Sequence, residues 1–185
     1  MSAALRSAFV LTLLLALLPA CSPRFDWREV RLPEQRCVVA LPDKPQRAQR
    51  EVALPGTTVP MQMVSTGVGA TLFAVGVAQL PPALAAAADL EASVALFRDG
   101  LLRNVNGRVT GTQPAALHAP AGRTVRYGQA LTAEGRAGPD GRKAVLAARF
   151  FVVDDRLYQV VALGGDGELP AAALDTFFDS FRLTE

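Results

Sequence analysis

The pattern of hydrophobic and polar positions predicts a chain built mostly of β-strands. Apolar and polar residues alternate over short segments separated by proline, glycine and aspartate, as in half-buried strands joined by turns. Segment 71–80 is apolar at nearly every position, which predicts a strand in the middle of a sheet. The predicted strands are 27–32, 36–41, 47–54, 58–66, 71–80, 108–112, 123–132, 143–153 and 156–163, with turns at 33–35, 42–45, 55–56, 135–141 and 154–155.

A central helix is predicted over 89–106, where the apolar spacing changes to three and four residues. Asp89 is suited to cap its first turn, and Asn106-Gly107 is suited to end it in a left-handed conformation. The residues that share its apolar face are Leu90, Val94, Phe97, Leu101 and Val105.

A second helix is predicted near the C-terminus, with Pro170 at its first position. Its apolar face consists of Leu174, Phe177, Phe178 and Phe181, and Asp175 is expected on the solvent-exposed side. Together the elements predict an α+β fold, an antiparallel β-sheet with a central helix and a C-terminal helix packed on it.

The N-terminal segment has the features of a secretion signal. Arg6 supplies a positive charge, and the apolar run 8–18 is shorter than the ~20 residues that a membrane-spanning helix needs. The motif Leu18-Pro19-Ala20-Cys21 resembles the lipobox of bacterial lipoproteins. The resemblance implies that the Cys21 sulfur receives a diacylglyceryl group and that cleavage makes acylated Cys21 the N-terminus.

This resemblance implies a membrane partner and a location. The chain is expected in the cell envelope, lipid-anchored and facing the periplasm, and Ser22 after the cysteine is similar to the outer-membrane class more than to the inner-membrane class. The chain divides into a signal peptide (1–20), a tether (21–26) and a single domain (27–185). The alternative is an ordinary cleaved signal that leaves Cys21 unmodified.

Cys37 has no expected disulfide partner, because the one other cysteine is the proposed acylation site. It lies in a predicted strand, where Val39 and Leu41 share its face. We therefore expect a buried thiol. A Cys21–Cys37 disulfide would compete with acylation.

The charge of the chain does not favour nucleic-acid binding. The formal net charge is +2, and removal of the signal with Arg6 leaves +1. Seven basic and four acidic residues lie within 24–50, a pattern compatible with anionic lipid near the anchor but more typical of a solvated surface.

The sequence offers no recognisable catalytic, cofactor or metal site. His118 is the sole histidine and lies in a proline- and alanine-rich loop, so a triad or a zinc site lacks partners. The glycine-rich segment 164–167 carries acids and no lysine, which favours a plain connection over anion binding. Gly67-Val68-Gly69 lacks the third glycine of a dinucleotide motif, and the pair Asp154-Asp155 is expected to face water in a turn.

Two short motifs resemble those of the PsbP-like, Mog-type α/β/α sandwich domains of bacteria. They are Leu41-Pro42-Asp43-Lys44-Pro45 after an early strand and 177–183, with sequence FFDSFRL, at the end of the chain. The resemblance implies a sheet with helices packed on it that serves as a binding or scaffold module, and it carries no catalytic residues.

Three functions are open at this point. The first is a non-catalytic module that contacts an envelope protein. The second is a carrier of a hydrophobic or lipid ligand in a cleft between sheet and helix, for which the small residues of 72–78 and 128–130 would make room. The third is an enzyme with an unrecognised acid–base site. An apolar cavity would favour the carrier, a flat exposed apolar patch would favour the module, and a cleft with converging acids of perturbed pKa would favour the enzyme.

Overall fold

An antiparallel sheet of seven strands forms the centre of the fold. The computed structural model describes residues 24–54, 56–86 and 90–185, so Cys21 and Asp89 lie outside the described residues. The strands are β1 (Arg28–Leu32), β2 (Cys37–Leu41), β3 (Gln46–Leu54), β4 (Thr57–Val68), β5 (Thr71–Gln79), β6 (Arg108–Pro114), β7 (Val125–Ala137), β8 (Arg142–Val153), β9 (Arg156–Gly165) and β10 (Arg182–Leu183). The helices are α1 (Pro82–Ala85), α2 (Leu90–Asn104) and α3 (Ala171–Ser180).

The large sheet has the strand order β3-β4-β5-β9-β8-β7-β6, and a small sheet has the order β1-β2-β10. Every neighbouring pair is antiparallel. β5 therefore has a partner on each side, as its continuous apolar sequence predicts. β2 pairs with β1, the strand that precedes it in the sequence, and with β10, which lies near the C-terminus.

One hydrophobic core lies between the large sheet and a layer made of the small sheet and α3. Phe73 of β5, Phe151 of β8 and Phe177 of α3 are all almost fully buried in it. The rings of Phe73 and Phe177 meet edge to face at 5.1 Å, and those of Phe151 and Phe181 stack at 6.0 Å. The small sheet adds Leu32, Cys37, Val39, Leu41 and Leu183.

A second core lies on the other face of the large sheet, under α2. Val94 and Phe97 of the helix pack with Leu146 and Phe150 of β8. The end of α2 approaches β7 closely, because the N–H of Arg136 donates to the carbonyl of Val105 at 2.6 Å. A side chain on Gly135 would collide with that carbonyl, which explains the glycine.

The predicted fold class is confirmed, and several boundaries are corrected. β7 continues through Gly135–Ala137, so the predicted turn 135–141 begins too early. β9 likewise includes Gly164 and Gly165 because both continue the ladder with β8. Pro170 precedes α3 as its N-cap and is not the first helical residue. Phe177, Phe178 and Phe181 are buried and Asp175 is exposed, as predicted.

Residues 24–26, assigned to a tether on sequence grounds, make defined contacts with the domain. Arg24 forms an ion pair with Glu168, and Asp26 donates its N–H to the carbonyl of Pro42. The ring of Phe25 lies 5.7 Å from that of Phe73, edge to face. The packed part of the chain thus starts at or before Arg24.

Candidate functional site

The large sheet ends in two edge strands that differ in how they present their backbone. β6 is irregular, because its register shifts between Val109 and Gly111, and it ends in Pro114, which has no N–H to donate. β3 pairs with β4 over nine consecutive positions without a shift. Bulges and prolines are the usual protection of an edge, so β3 is the less protected of the two.

The side chains of β3 leave both of its faces open over most of its length. Residues Gln46 to Glu51 are all exposed, and burial is reached only at Leu54. Toward the end of β3, α2 approaches the strand, and Val52 packs against the second core. β3 is the last strand of the large sheet on this side. The outer N–H and C=O groups of β3 are therefore accessible from the side.

A cleft lies along each face of β3. The cleft on the β1–β2 side has a volume of about 680 Å³ and runs between the turn 33–35 and Arg47–Gln49. The cleft on the α2 side has a volume of about 330 Å³. Its apolar lining comes from Val52, Met61, Met63, Leu96 and Leu101. Leu96 is 36% exposed there, so its side chain adds apolar surface to the cleft.

The floor of the α2-side cleft depends on a glycine. A side chain on Gly76 would overlap the end of the Met61 side chain, which lies flat across β5 at this point. Gln159 is buried at 7% exposure and lines the same cleft. The cleft therefore offers flexible methionine surface together with one amide, a combination suited to binding varied side chains.

The charges around β3 are positive. Arg47 and Arg50 lie on the strand, and Arg103 of α2 lines the α2-side cleft with Arg50. Among the described residues, none of these three arginines forms an ion pair with a carboxylate. Glu51 is the one acid on the strand. An extended segment that is acidic or polar would complement this edge.

The small residues that could have made room for a hydrophobic ligand are filled by the protein itself. The space beside Gly76 holds Met61, and the space beside Gly128 holds the carbonyl of Ala115. The N–H of Ala115 in turn donates to the carbonyl of Gly128 at 3.1 Å. These glycines thus permit close packing and not a ligand cavity.

A polar network, missed by the sequence reasoning, lies at one end of the sheet. The guanidinium of Arg123 donates to Asp154 at 3.2 Å, to the Tyr158 hydroxyl at 3.2 Å and to the carbonyl of Thr184 at 3.3 Å. The Tyr158 hydroxyl donates to the carbonyl of Gln35 at 2.9 Å. The network ties together the β1–β2 turn, the β8–β9 turn and the end of the chain, so its role is structural.

The acidic pair at the β8–β9 turn lies beside this network, and in addition to facing water both acids accept hydrogen bonds from the protein. Asp154 accepts the N–H of Thr124 at 2.9 Å and an N–H of Arg123. These two groups hold the pKa of Asp154 below its ordinary value, the Thr124 N–H contributing most. Asp155 accepts from the amide of Gln79 at 2.8 Å. Both carboxylates thus help to hold the β8–β9 turn against its neighbours.

The buried Cys37 thiol is not activated. Burial raises its pKa to about 12, and the nearby charges of Arg123 and Arg156 offset that effect only in part. Its position on the same inward face as Val39 and Leu41 confirms the predicted burial. A thiol that stays protonated at neutral pH is a poor nucleophile, so Cys37 is a core residue.

The remaining candidates are separated in the structure. His118 is exposed in the loop after β6, while its neighbours Leu117 and Ala119 pack on the core. Glu168, which follows the glycine-rich segment, forms an ion pair with Arg24. Within 24–54, 56–86 and 90–185, no three His, Cys, Asp or Glu side chains group as metal ligands. In the same part of the chain, no helix has the length and apolar character needed to cross a membrane.

Comparison with known proteins gives little further information. No protein-family model and no curated protein matches the chain. Among solved structures, the chain is similar to the crystal structure of PA94, a protein of unknown function from Pseudomonas aeruginosa, with a TM-score of 0.41 and 13% sequence identity. The match covers 78% of this chain and 86% of PA94.

Proposed function

We propose that this chain is a lipoprotein of the bacterial cell envelope, anchored through acylated Cys21, whose domain is a non-catalytic module that binds a partner protein. The anchor is supported by the apolar run 8–18 and the motif Leu18-Pro19-Ala20-Cys21. The binding role is carried by one observation, the exposed edge strand β3, which is regular and carries neither a bulge nor a proline.

The binding mode that this edge supports is strand addition. A partner segment in an extended conformation would pair with the outer backbone groups of β3 and become an eighth strand of the sheet. Outward-facing N–H and C=O groups occur at alternate residues, so nine residues offer about four such pairs. Main-chain bonds of this kind give affinity for a range of sequences, and the flanking clefts would select among them.

The clefts define what the partner segment should contain. Side chains of an added strand point alternately to the two faces. One set would enter the cleft lined by Met61, Met63 and Leu96, which favours apolar residues. The other set would lie beside Arg47 and Glu34, which favours polar residues. We therefore expect a segment in which apolar and polar positions alternate.

The anchor is tested by a single substitution. The Cys21→Ala chain should lose incorporation of a fatty-acid analogue and should leave the membrane fraction, whereas Cys37→Ala should retain both. Unchanged incorporation in Cys21→Ala would refute the acylation.

The binding edge is tested by photocrosslinking in cells. A photoreactive residue at Gln49 of β3 should give a discrete adduct with another protein, while the same residue at Thr112 of β6 should not. An adduct of equal yield from both strands would refute a specific edge. An adduct at twice the mass of the chain would show pairing with a second copy instead of a partner.

Proline substitutions separate edge pairing from simple proximity. Because N–H groups point alternately inward and outward, one of Gln49→Pro and Arg50→Pro removes an outward N–H and the other breaks the β3–β4 ladder. Thermal unfolding identifies the variant that keeps its stability. That variant should lose the adduct formed from a neighbouring position, Arg47, and retention of the adduct would refute strand addition.

A further inference from the structure

We propose that one end of the large sheet rests on the phospholipid headgroups of the bilayer that holds the anchor. This inference rests on the proposed acylation of Cys21. The surface in question, called the anchor end, consists of the turns 69–70 and 138–141 and the loop 166–169. The opposite surface, called the far end, consists of the turns 33–36 and 154–155.

The anchor end is where the described chain begins. Arg24 forms an ion pair with Glu168 of the loop 166–169, and its guanidinium lies beside Gly69. Phe25 packs on Phe73 and on Trp27, with ring centroids 5.7 and 5.6 Å apart. The ion pair of Arg24 and the packing of Phe25 therefore hold the start of the described chain at this end of the sheet.

The distance from this point to the acylated residue is short. Three peptide units separate Cys21 from Arg24, and a fully extended chain spans at most about 3.6 Å per residue, so the two Cα atoms lie within about 11 Å. β8, with twelve residues, runs from the anchor end to the far end and spans about 40 Å. If Cys21 is at headgroup level, the anchor end is close to the bilayer and an upright domain holds the far end away from it.

The chemistry of the anchor end suits a headgroup layer. A cleft of about 410 Å³ opens there, lined by Leu72, Pro139, Arg142 and Lys143 among others. Leu72 is 38% exposed, although most of strand β5 is buried. Asp140 of the same cleft forms an ion pair with Arg142, whereas Lys143 pairs with no carboxylate among the described residues. An exposed apolar side chain beside a long cationic one matches the interface, where the cation reaches phosphate and apolar atoms reach the glycerol region.

The positions of the two lysines also support contact of the anchor end with lipid headgroups. The sequence contains two, Lys44 and Lys143, and both are exposed. Lys143 is the second residue of β8, close to the turn 138–141. Lys44 lies just before β3, whose first residue Gln46 pairs with Ser65 near the end of β4. Both ammonium groups are therefore at the anchor end, where an anionic surface would attract them.

This orientation also decides how a partner can approach. With the anchor end on the bilayer, β3 stands upright and its edge faces sideways along the membrane surface. A partner segment could then pair with it without displacing the domain from the lipid.

The test uses the full lipidated chain reconstituted in vesicles of phosphatidylethanolamine and phosphatidylglycerol. An environment-sensitive fluorophore is attached to a cysteine introduced at Pro139 or Leu72 in the anchor end, at Glu34 in the far end, or at Asp175 on the outside of α3. Quenching by lipids that carry a nitroxide at headgroup depth is compared among the sites. The buried Cys37 serves as the unlabelled background.

We expect strong quenching at Pro139 and Leu72 and weak quenching at Glu34 and Asp175. Quenching at Glu34 equal to that at Pro139 would overturn the orientation, and dominant quenching at Asp175 would mean that the domain lies flat on its α3 side. A Cys21→Ala chain should not bind the vesicles. Failure of the unsubstituted chain to bind would count against the anchor, whereas bound protein with equal quenching at all sites would count against the orientation alone.

Charge reversal gives a matched pair of variants. Lys143→Glu should reduce quenching at Pro139 by at least half, and Arg50→Glu, with the same change of charge on β3, should leave it unchanged. Amine-reactive labelling gives an independent readout with no substitution in the cleft. Lys44 and Lys143 should be protected on vesicles relative to detergent, while a lysine introduced by Glu34→Lys should not be. Equal labelling in both media would contradict contact with the headgroups.

Discussion

Replacing Phe177 by alanine should remove a large part of the stability of the domain. Phe177 is fully buried, between Phe73 at 5.1 Å and Phe178 at 5.2 Å, in the core that joins α3 to the sheet. Phe→Ala changes at such positions cost about 3–5 kcal/mol. Domains of this kind have ~5–15 kcal/mol in total. At about 2–4 °C per kcal/mol for a chain of this size, the Tm should fall by roughly 6–20 °C.

Chemical unfolding followed by the fluorescence of Trp27 measures this loss directly. Trp27 is the single tryptophan of the chain, and its ring lies 5.4 Å from that of Phe73, so it reports on the same core. The midpoint should shift while the slope m stays constant. Asp175→Ala, on the exposed side of α3, is the control and should change the stability by less than about 0.5 kcal/mol. A Phe177→Ala cost below about 1 kcal/mol would refute the assignment of α3 to the core, since a surface that docks a partner would tolerate the change.

Two further predictions concern ionisable groups. Cys37, with its pKa raised to about 12, should react slowly with thiol reagents near pH 8 in the folded protein and rapidly in denaturant, and fast labelling of the native state would contradict its burial. Because its folded pKa lies above the unfolded value of about 8.5, its contribution to stability should be present below that pH and fade as the pH rises toward 12. Asp154 should show the opposite pH dependence. Its pKa is lowered in the folded protein, so its contribution to the free energy of unfolding should be present above about pH 4 and be lost as the pH falls further. Asp154→Asn should therefore differ in unfolding free energy from the native chain at pH 7 and converge with it at low pH, and a difference that does not depend on pH would rule out the ionised carboxylate as the cause.

The local pattern of the sequence was sufficient for the β8–β9 hairpin and for the helices α2 and α3, but it did not predict the short helix α1 or the strand β10. The spacing of Val94 and Phe97 predicts the buried face of α2, and the turn at Asp154-Asp155 predicts the hairpin of β8 and β9. Both depend on neighbours in the chain, which periodicity and turn chemistry report well. The end of β7 could not be predicted from the local pattern. Gly135 there contacts Val105 at the end of α2, and this tertiary contact overrides the preference of glycine for turns.

The exposure of both faces of β3 has a signature in the sequence. Residues Gln46 to Glu51 are polar at five of six positions, which departs from the alternation of a half-buried strand and indicates a strand with both faces exposed. The network of Arg123 had no such signature. Its partners Asp154 and Tyr158 lie 31 and 35 residues away, so only the folded chain brings them together.

The pairing of β2 with β10 has a consequence for the order in which the chain can fold. Synthesis makes the hairpin β1–β2 long before the end of the chain. Yet β2 takes β10 as its second neighbour, and contacts such as that of Ala40 with Ser180 bridge 140 residues. Because the first core cannot close until α3 and β10 are present, synthesis must be nearly complete before the native topology can form. Until then the apolar face of the hairpin is uncovered.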